Sequence, residues 1–119
     1  MNEYKFEELE ELAQKQAAIC KVFSSTRRVL IVWVLRRDEM TVTEIAHAVG
    51  ASLQGTSQHL RLMKDKGVLT SRKDGQTVFY RISQNALIQN CLILERSPLS
   101  EKTKLNDEPL GSKTFIKKE

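Results

Sequence analysis

Cysteine, histidine and proline are scarce in this chain, and their scarcity excludes several classes of protein. The 119 residues include two cysteines, two histidines and two prolines. A disulfide-rich scaffold needs more cysteines than this. A structural zinc ion needs about four closely spaced ligands. The cysteines and histidines form no such cluster along the sequence, standing at Cys20, His47, His59 and Cys91.

Sequence motifs of catalysis are missing as well. The chain has no glycine-rich phosphate loop, no nucleophile elbow and no clustered pair of acids. We therefore expect a protein that is not an enzyme and that carries neither a cofactor nor a metal ion.

Long apolar runs are also absent. The longest clean run, residues 29–35, is far shorter than the ~20 residues that a membrane-spanning helix needs. The N-terminal residues are acidic and lack the long apolar segment of a secretion signal. We expect a cytoplasmic protein with no membrane partner, in which both cysteines stay reduced.

The composition that is present fits one small folded domain. A length of 119 residues with 40% hydrophobic residues allows a single modest core. The net charge of +4 mildly supports an anionic partner. We place the folded domain at residues 1–94. Residues 95–119 mix charges of both signs with few large apolar residues, and we expect a flexible tail there.

The most informative stretch is residues 52–66, which the pattern predicts to be a helix. Ser52 is a good N-cap and Gly67 a good left-handed residue at the C-terminal end. Small or apolar residues at 53, 56, 60 and 63 predict one buried stripe. The opposite side carries Gln54, Gly55, Gln58, Arg61 and Asp65.

The chemistry of that opposite side suits the major groove of DNA. Glutamine can form two hydrogen bonds with an adenine edge, and arginine two with a guanine. Gly55 would let the helix approach the groove closely. The alternative is an ordinary solvated amphipathic helix. The candidate DNA contacts on this helix are Gln54, Gly55, Thr56, Ser57, Gln58 and Arg61, with the two glutamines as base readers.

The flanking segments predict a winged helix-turn-helix, which is mainly α-helical with a small β-hairpin wing. Residues 41–50 form a short helix, with Thr41 and Glu44 as a capping box and Gly50 at its end. Strands at 68–73 and 77–82 are joined by Asp74-Gly75, a strong hairpin signal. Val68, Val78, Tyr80 and Ile82 should fill the inner face of that sheet. Residues 40–42 can add a third strand.

Further helices are predicted at residues 3–23, 25–37 and 84–94. Arg27 and Arg28 open the second of these helices and either contact phosphate or take part in solvation or an internal ion pair. The wing carries Arg72, Lys73 and Gln76 near its tip. These three residues either reach phosphates and the minor groove or are simply solvated.

Five segments in one order carry a resemblance to a known family. They are 24–30 (SSTRRVL), 43–46 (TEIA), 57–60 (SQHL), 67–69 (GVL) and 74–80 (DGQTVFY). Over roughly residues 17–94 the chain resembles the ArsR/SmtB family of winged-helix repressors. The resemblance implies a homodimer that binds double-stranded DNA and releases it when a small molecule, metal ion or thiol-reactive species binds.

The resemblance also implies a subunit interface built from the N- and C-terminal helices. The first helix has an apolar face that includes Phe6, Leu9 and Leu12, which either meets the partner subunit or folds back on its own domain. The positions that match two common metal sites of the family hold no suitable ligands. Thr41 and Thr43 stand where a cysteine pair would be, and the last helix has no histidine and no acid before Glu95.

Two alternatives remain open from the residues alone. Cys20 and Cys91 lie in the helices assigned to the subunit interface and can act as a thiol switch, or both can be buried small hydrophobic residues. The function of the whole domain is also open. Winged helices serve as protein-interaction modules without DNA affinity as well as DNA-binding domains.

Overall fold

A computed structural model describes residues 5–89, 91–96 and 98. The elements run in the order α1 (Phe6–Val22), α2 (Thr26–Leu35), β1 (Met40–Thr41), α3 (Val42–Val49), α4 (Leu53–Asp65), β2 (Leu69–Asp74), β3 (Thr77–Ile82), α5 (Ala86–Gln89) and α6 (Leu92–Glu95). This is the predicted winged helix-turn-helix, mainly α-helical with a small sheet. No helix in the described ranges is long and apolar enough to cross a membrane.

The centre of the domain is α2, whose sequence is apolar on nearly every side. Ile31 and Val32 are fully buried, and α2 packs against α3, α4, β3 and α6. The helix begins where the Ser25 hydroxyl accepts a hydrogen bond from the backbone N–H of Arg28. Its predicted end at residue 37 was two residues too late.

The helix-turn-helix is fixed by caps that the sequence had indicated. Thr41 and Glu44 each accept a hydrogen bond from the other's backbone N–H, closing the capping box at the start of α3. Gly50 ends α3 with a φ of 65°, a left-handed conformation that glycine adopts without strain. Ser52 then caps α4, where its hydroxyl accepts a hydrogen bond from the backbone N–H of Gly55.

The wing is an antiparallel sheet with strand order β1-β3-β2. Met40 pairs with Tyr80, and Leu69 pairs with Ile82, so the predicted third strand is confirmed. Asp74 pairs with Thr77, which leaves Gly75 and Gln76 as the two-residue loop. Tyr80 and Ile82 pack on the core, and Val68 is buried just before β2. The fourth predicted inner residue, Val78, is only half-buried.

The predicted C-terminal helix over residues 84–94 was wrong in its continuity. The chain instead forms two four-residue helices, α5 and α6, with the non-helical Cys91 before the second. Ile88 and Leu94 are buried in the core of their own domain, and the indole N–H of Trp33 donates to the carbonyl of Ile93 over 2.8 Å. The first short helix packs against α1 and the second against α2. The predicted tail lies outside the described residues except for 95, 96 and 98.

Within its own domain, the first helix buries residues that lie outside the apolar face noted in the sequence. Ile19 and Val22 are the buried residues of α1. Phe6, Leu9 and Leu12 are 72%, 49% and 39% exposed, so this face does not fold back on its own domain. A second correction concerns Leu53 of the predicted α4 stripe, which is 53% exposed because it lies in the first turn, beyond the edge of the core.

Candidate nucleic-acid interface

The outer side of α4 carries a row of polar side chains one helical turn apart. Gln54, Gln58 and Arg61 are exposed, and Ser57 beside them is half-buried. Among the described residues, neither glutamine amide forms an intramolecular hydrogen bond. Each amide therefore keeps both its donor and its acceptor available for a base edge.

Gly55 lies in the first turn of α4, beside the residue that caps the helix. The Ser52 hydroxyl accepts a hydrogen bond from the Gly55 N–H at 2.9 Å. A Cβ at position 55 would lie 3.0 Å from that same hydroxyl oxygen, a tight contact that a movement of a few tenths of an ångström by the Ser52 side chain would relieve. The predicted close approach to a groove remains a prediction.

Thr56 was wrongly included among the DNA contacts. Its side chain is 0% exposed, in the stripe that also contains Leu60 and Met63. Its hydroxyl has no hydrogen-bond partner among the described residues. A group that faces the core cannot meet a duplex, and the sequence had already indicated burial at this position from the spacing of the stripe.

Arg28 joins elements of the domain and does not project toward solvent. Its Nε donates to the carbonyl of Val22 at 2.7 Å, and its Nη1 lies 3.3 Å from Nδ1 of His59. The guanidinium therefore links the end of α1, the start of α2 and the middle of α4. The predicted phosphate contact of Arg28 is corrected to an internal role. Its partners are a carbonyl and an imidazole, and not the acid that an internal ion pair would need.

His59, in the middle of α4, hydrogen-bonds with Arg28. The pKa of His59 is lowered, chiefly by burial and then by the positive charges of Arg28 and Arg27. The neutral ring can accept from Arg28 at Nδ1, whereas the imidazolium cannot. The effect of Arg27 also locates that exposed arginine near α4, where it remains a candidate phosphate contact.

The wing arginine is occupied by an acid that precedes the sheet. Arg72 donates from Nε to Glu39 Oε1 at 3.0 Å and from Nη2 to Oε2 at 2.6 Å. Its guanidinium carbon also lies 4.4 Å from the centre of the Phe79 ring. The Arg72 hydrogen bonds lower the pKa of Glu39. Arg72 is therefore paired with Glu39 in this structure, and its predicted phosphate contact stays a prediction. Lys73 and Gln76 are exposed near the tip.

The two cysteines are in different environments and are not bonded to each other. Cys20 is exposed on α1, and Cys91 is 7% exposed in the core. Among the described residues, no group of three or more histidine, cysteine, aspartate or glutamate side chains is arranged to hold a metal ion. Thr41, one of the two positions compared with metal ligands, instead caps α3.

Comparison with known proteins gives one family and several related chains. The pattern of the family described as bacterial regulatory protein, arsR family, matches residues 25–71. The HTH-type transcriptional regulator YgaV of Escherichia coli is 35% identical over 81 residues, which are 67% of this chain and 82% of YgaV.

Two related proteins also have solved structures. The transcriptional activator HlyU of Vibrio cholerae is 30% identical over 90 residues, covering 76% of this chain and 83% of HlyU. Its structure superposes with a TM-score of 0.66 over 73% of this chain and 95% of that one. The homodimeric winged helix-turn-helix DNA-binding domain of Mb0332 from Mycobacterium bovis gives a TM-score of 0.64 at 27% identity, covering 78% and 83%.

The low pKa of His59 predicts a loss of stability in mild acid. The unfolded chain binds the proton near the ordinary pKa of 6.5, whereas the folded chain binds it only at lower pH. The stabilising contribution is complete above that value and is lost as the pH falls toward the folded pKa. The His59→Gln variant keeps an acceptor for Arg28 and should lose less stability between about pH 7.5 and about pH 5.5.

Urea unfolding of both proteins at the two pH values measures this difference. The His47→Gln variant is the control, since His47 is exposed on α3 and its loss should leave the pH dependence unchanged. A His59→Gln variant with the full acid sensitivity of the parent would show that another group is responsible.

Proposed function

We propose that this chain, which belongs to the ArsR family of bacterial regulatory proteins, is a repressor that binds an inverted-repeat operator as a homodimer. The observation that carries the proposal is the exposed row of Gln54, Gln58 and Arg61 on α4. These are the groups that read base edges in the major groove, and their helix stands in the recognition position of a helix-turn-helix.

The relatives establish the general function, which is DNA-binding regulation of transcription. They are named as transcription regulators, so the chain is a DNA-binding regulator and the expectation that it is not an enzyme is confirmed. HlyU is named an activator. The sign of regulation in this chain therefore belongs to the proposal and rests on the resemblance to winged-helix repressors.

We assign different roles to the cations and amides around α4. Gln54 and Gln58 read bases, with Ser57 and Arg61 at their sides. Arg27 at the start of α2, together with Lys73 and Gln76 of the wing, contacts the backbone. Backbone contacts position the protein and set its salt dependence, and base contacts carry the sequence preference.

The uncovered face of α1 supports a homodimer. The Mb0332 domain is homodimeric. In this chain, Phe6, Leu9 and Leu12 form an exposed apolar face on α1. A second subunit that covered this face would remove it from water. Two copies of α4 would then enter successive major grooves about 34 Å apart. Ile88 and Leu94 of the two C-terminal helices are buried within their own domain, so we expect α1 to supply most of the proposed contact.

Several expectations remain part of the proposal. We retain a folded unit at residues 1–94, a cytoplasmic location and a function without the family's common metal sites. The thiol switch also remains a prediction: Cys20 is accessible for oxidation, whereas the burial of Cys91 requires local opening before it reacts.

The alternative to DNA binding is a protein-interaction module. Tight binding to a protein partner without salt-dependent binding to duplex DNA would favour it.

Replacement of Gln58 tests the base-reading role. Gln58→Ala should cost about 1–3 kcal/mol at one base position and relax the preference there, since a pair of hydrogen bonds is lost. The measurement is selection of tight sites from random DNA, followed by titration of the selected palindrome and its single-base variants at fixed salt. Gln14→Ala, which removes an exposed amide on α1, should behave as the parent. Equal weakening on selected and random DNA would contradict the assignment.

Two adjacent wing cations should differ in their effect on salt dependence. Lys73→Ala should weaken binding to all DNA and reduce the slope of log affinity against log salt by about one, since one phosphate contact is lost. Arg72→Ala should leave the slope nearly unchanged because Glu39 already holds its guanidinium. An equal loss of slope in both variants would mean that Arg72 exchanges Glu39 for a phosphate.

A charge placed on the exposed face of α1 tests the dimer. Leu9→Lys should raise the dimer dissociation constant by more than about tenfold, because it puts an ammonium into an apolar contact. Sedimentation over a range of concentrations gives the mass of each species. Gln14→Lys adds the same charge on another side of α1 and should leave the dimer intact. A parent chain that is monomeric at every concentration would remove the homodimer from the proposal.

A further inference from the structure

A basic cavity lies at the C-terminal end of α2, whereas the contact between Arg28 and His59 lies at its N-terminal end. It is open, has a volume of about 500 Å³, and is formed by the end of α2, the turn before β1, strands β2 and β3, and residues near α5 and α6. Four arginines line it, and they come from three separate parts of the chain: Arg36, Arg37, Arg72 and Arg81.

Charge in this cavity is unbalanced toward the positive. Its two acids are Asp38 and Glu39, and the Glu39 carboxylate accepts hydrogen bonds from Nε and Nη2 of Arg72. Within the described ranges, Arg36, Arg37 and Arg81 form no ion pair. Three guanidinium groups thus share the cavity with one further carboxylate, that of Asp38.

The end of a helix accounts for only part of this arrangement. Arg36 and Arg37 follow the C-terminus of α2, where the dipole favours cations. Arg81 belongs to β3 and is held there by a hydrogen bond of 3.4 Å from its Nε to the Thr70 hydroxyl. Its terminal nitrogens form no hydrogen bond among the described residues. The cavity therefore brings together arginines from the end of a helix and arginines from the sheet.

The geometry points to a binding site for a compact polyanion that carries two or more carboxylate or phosphate groups. Guanidinium forks match the paired oxygens of both groups and bind them through charge-assisted hydrogen bonds. The amide side chains of Gln84 and Gln89 add polar groups to the wall. The apolar lining residues Leu35, Ile82 and Leu94 are almost fully buried, so they offer little surface to a hydrophobic ligand.

Occupation of the site reaches the wing through Arg72. A polyanion among these arginines competes with Glu39 for the Arg72 guanidinium, and that ion pair joins β2 to the segment that leads into β1. This coupling rests on the proposed DNA-binding function, because it makes the polyanion an effector of the wing. The site itself does not depend on that function.

Titration calorimetry of the full chain with pyrophosphate and with citrate, at matched ionic strength and without divalent metal, tests the site. We expect saturable binding of at least one of them, with one site per chain. Arg37→Gln and Arg81→Gln should each weaken it about tenfold or more, since each removes a charged donor. Lys15→Gln removes one exposed charge from α1 and should leave the affinity unchanged. Binding of pyrophosphate alone would identify the ligand groups as phosphates, and binding of citrate alone would identify them as carboxylates.

Several outcomes would overturn the site. They are binding of neither probe, binding that does not saturate, and equal weakening by Lys15→Gln. Loss of DNA affinity in Arg37→Gln without any added polyanion would assign these arginines to the DNA backbone and overturn it as well.

A second titration separates the site from its coupling to DNA. The DNA affinity of the parent should change when the probe that it binds is added. The DNA affinity of Arg37→Gln should not change under the same addition. A bound polyanion with no effect on DNA affinity would overturn the coupling and leave the site standing. Failure of the parent to bind any DNA would count against the proposed function alone, because the calorimetric result is independent of it.

Discussion

Burial of α2 on nearly every side fixes the relative positions of the two functional parts of the domain. Ile31, Val32 and Leu35 are buried in one core, and their helix packs against α3, α4 and β3. Each such side chain contributes about 1.5–3 kcal/mol relative to its exposed state. Because α4 and the wing pack on the same helix, neither can shift without disturbing that core. A base-reading helix and a backbone-contacting hairpin need this kind of fixed spacing, since successive phosphates and bases are themselves at fixed distances.

Local chemistry made much of the fold predictable from the sequence. The capping box at Thr41 and Glu44, the left-handed Gly50 and the hairpin at Gly75 depend on residues within a few positions of one another. The exposed row on α4 follows from helical periodicity alone. These features locate the helix-turn-helix and the wing before any tertiary contact is known. The comparison with related proteins then confirms the family that the ordered segments had indicated.

Contacts between distant residues account for what could not be predicted. Arg28 reaches His59, 31 positions away, and Arg72 reaches Glu39, 33 positions away. Nothing in either local sequence distinguishes an arginine held inside the domain from one that is free for phosphate. The register of β1 on β3 was needed to bring Glu39 near the wing. Likewise, the hydrogen bond from Trp33 to the carbonyl of Ile93 joins residues 60 positions apart, and neither local sequence indicates it.

The exposed face of α1 has a consequence for how steeply the protein would respond to its own abundance. In the proposed dimer, each subunit supplies one reading helix, and a lone subunit presents half of the required contacts. At low abundance, where the subunits are mostly separate, the concentration of the DNA-binding species rises with the square of the total chain concentration. A modest change in synthesis or degradation of the chain would then produce a larger change in operator occupancy. Phe6, Leu9 and Leu12 would set the concentration at which that steep response occurs.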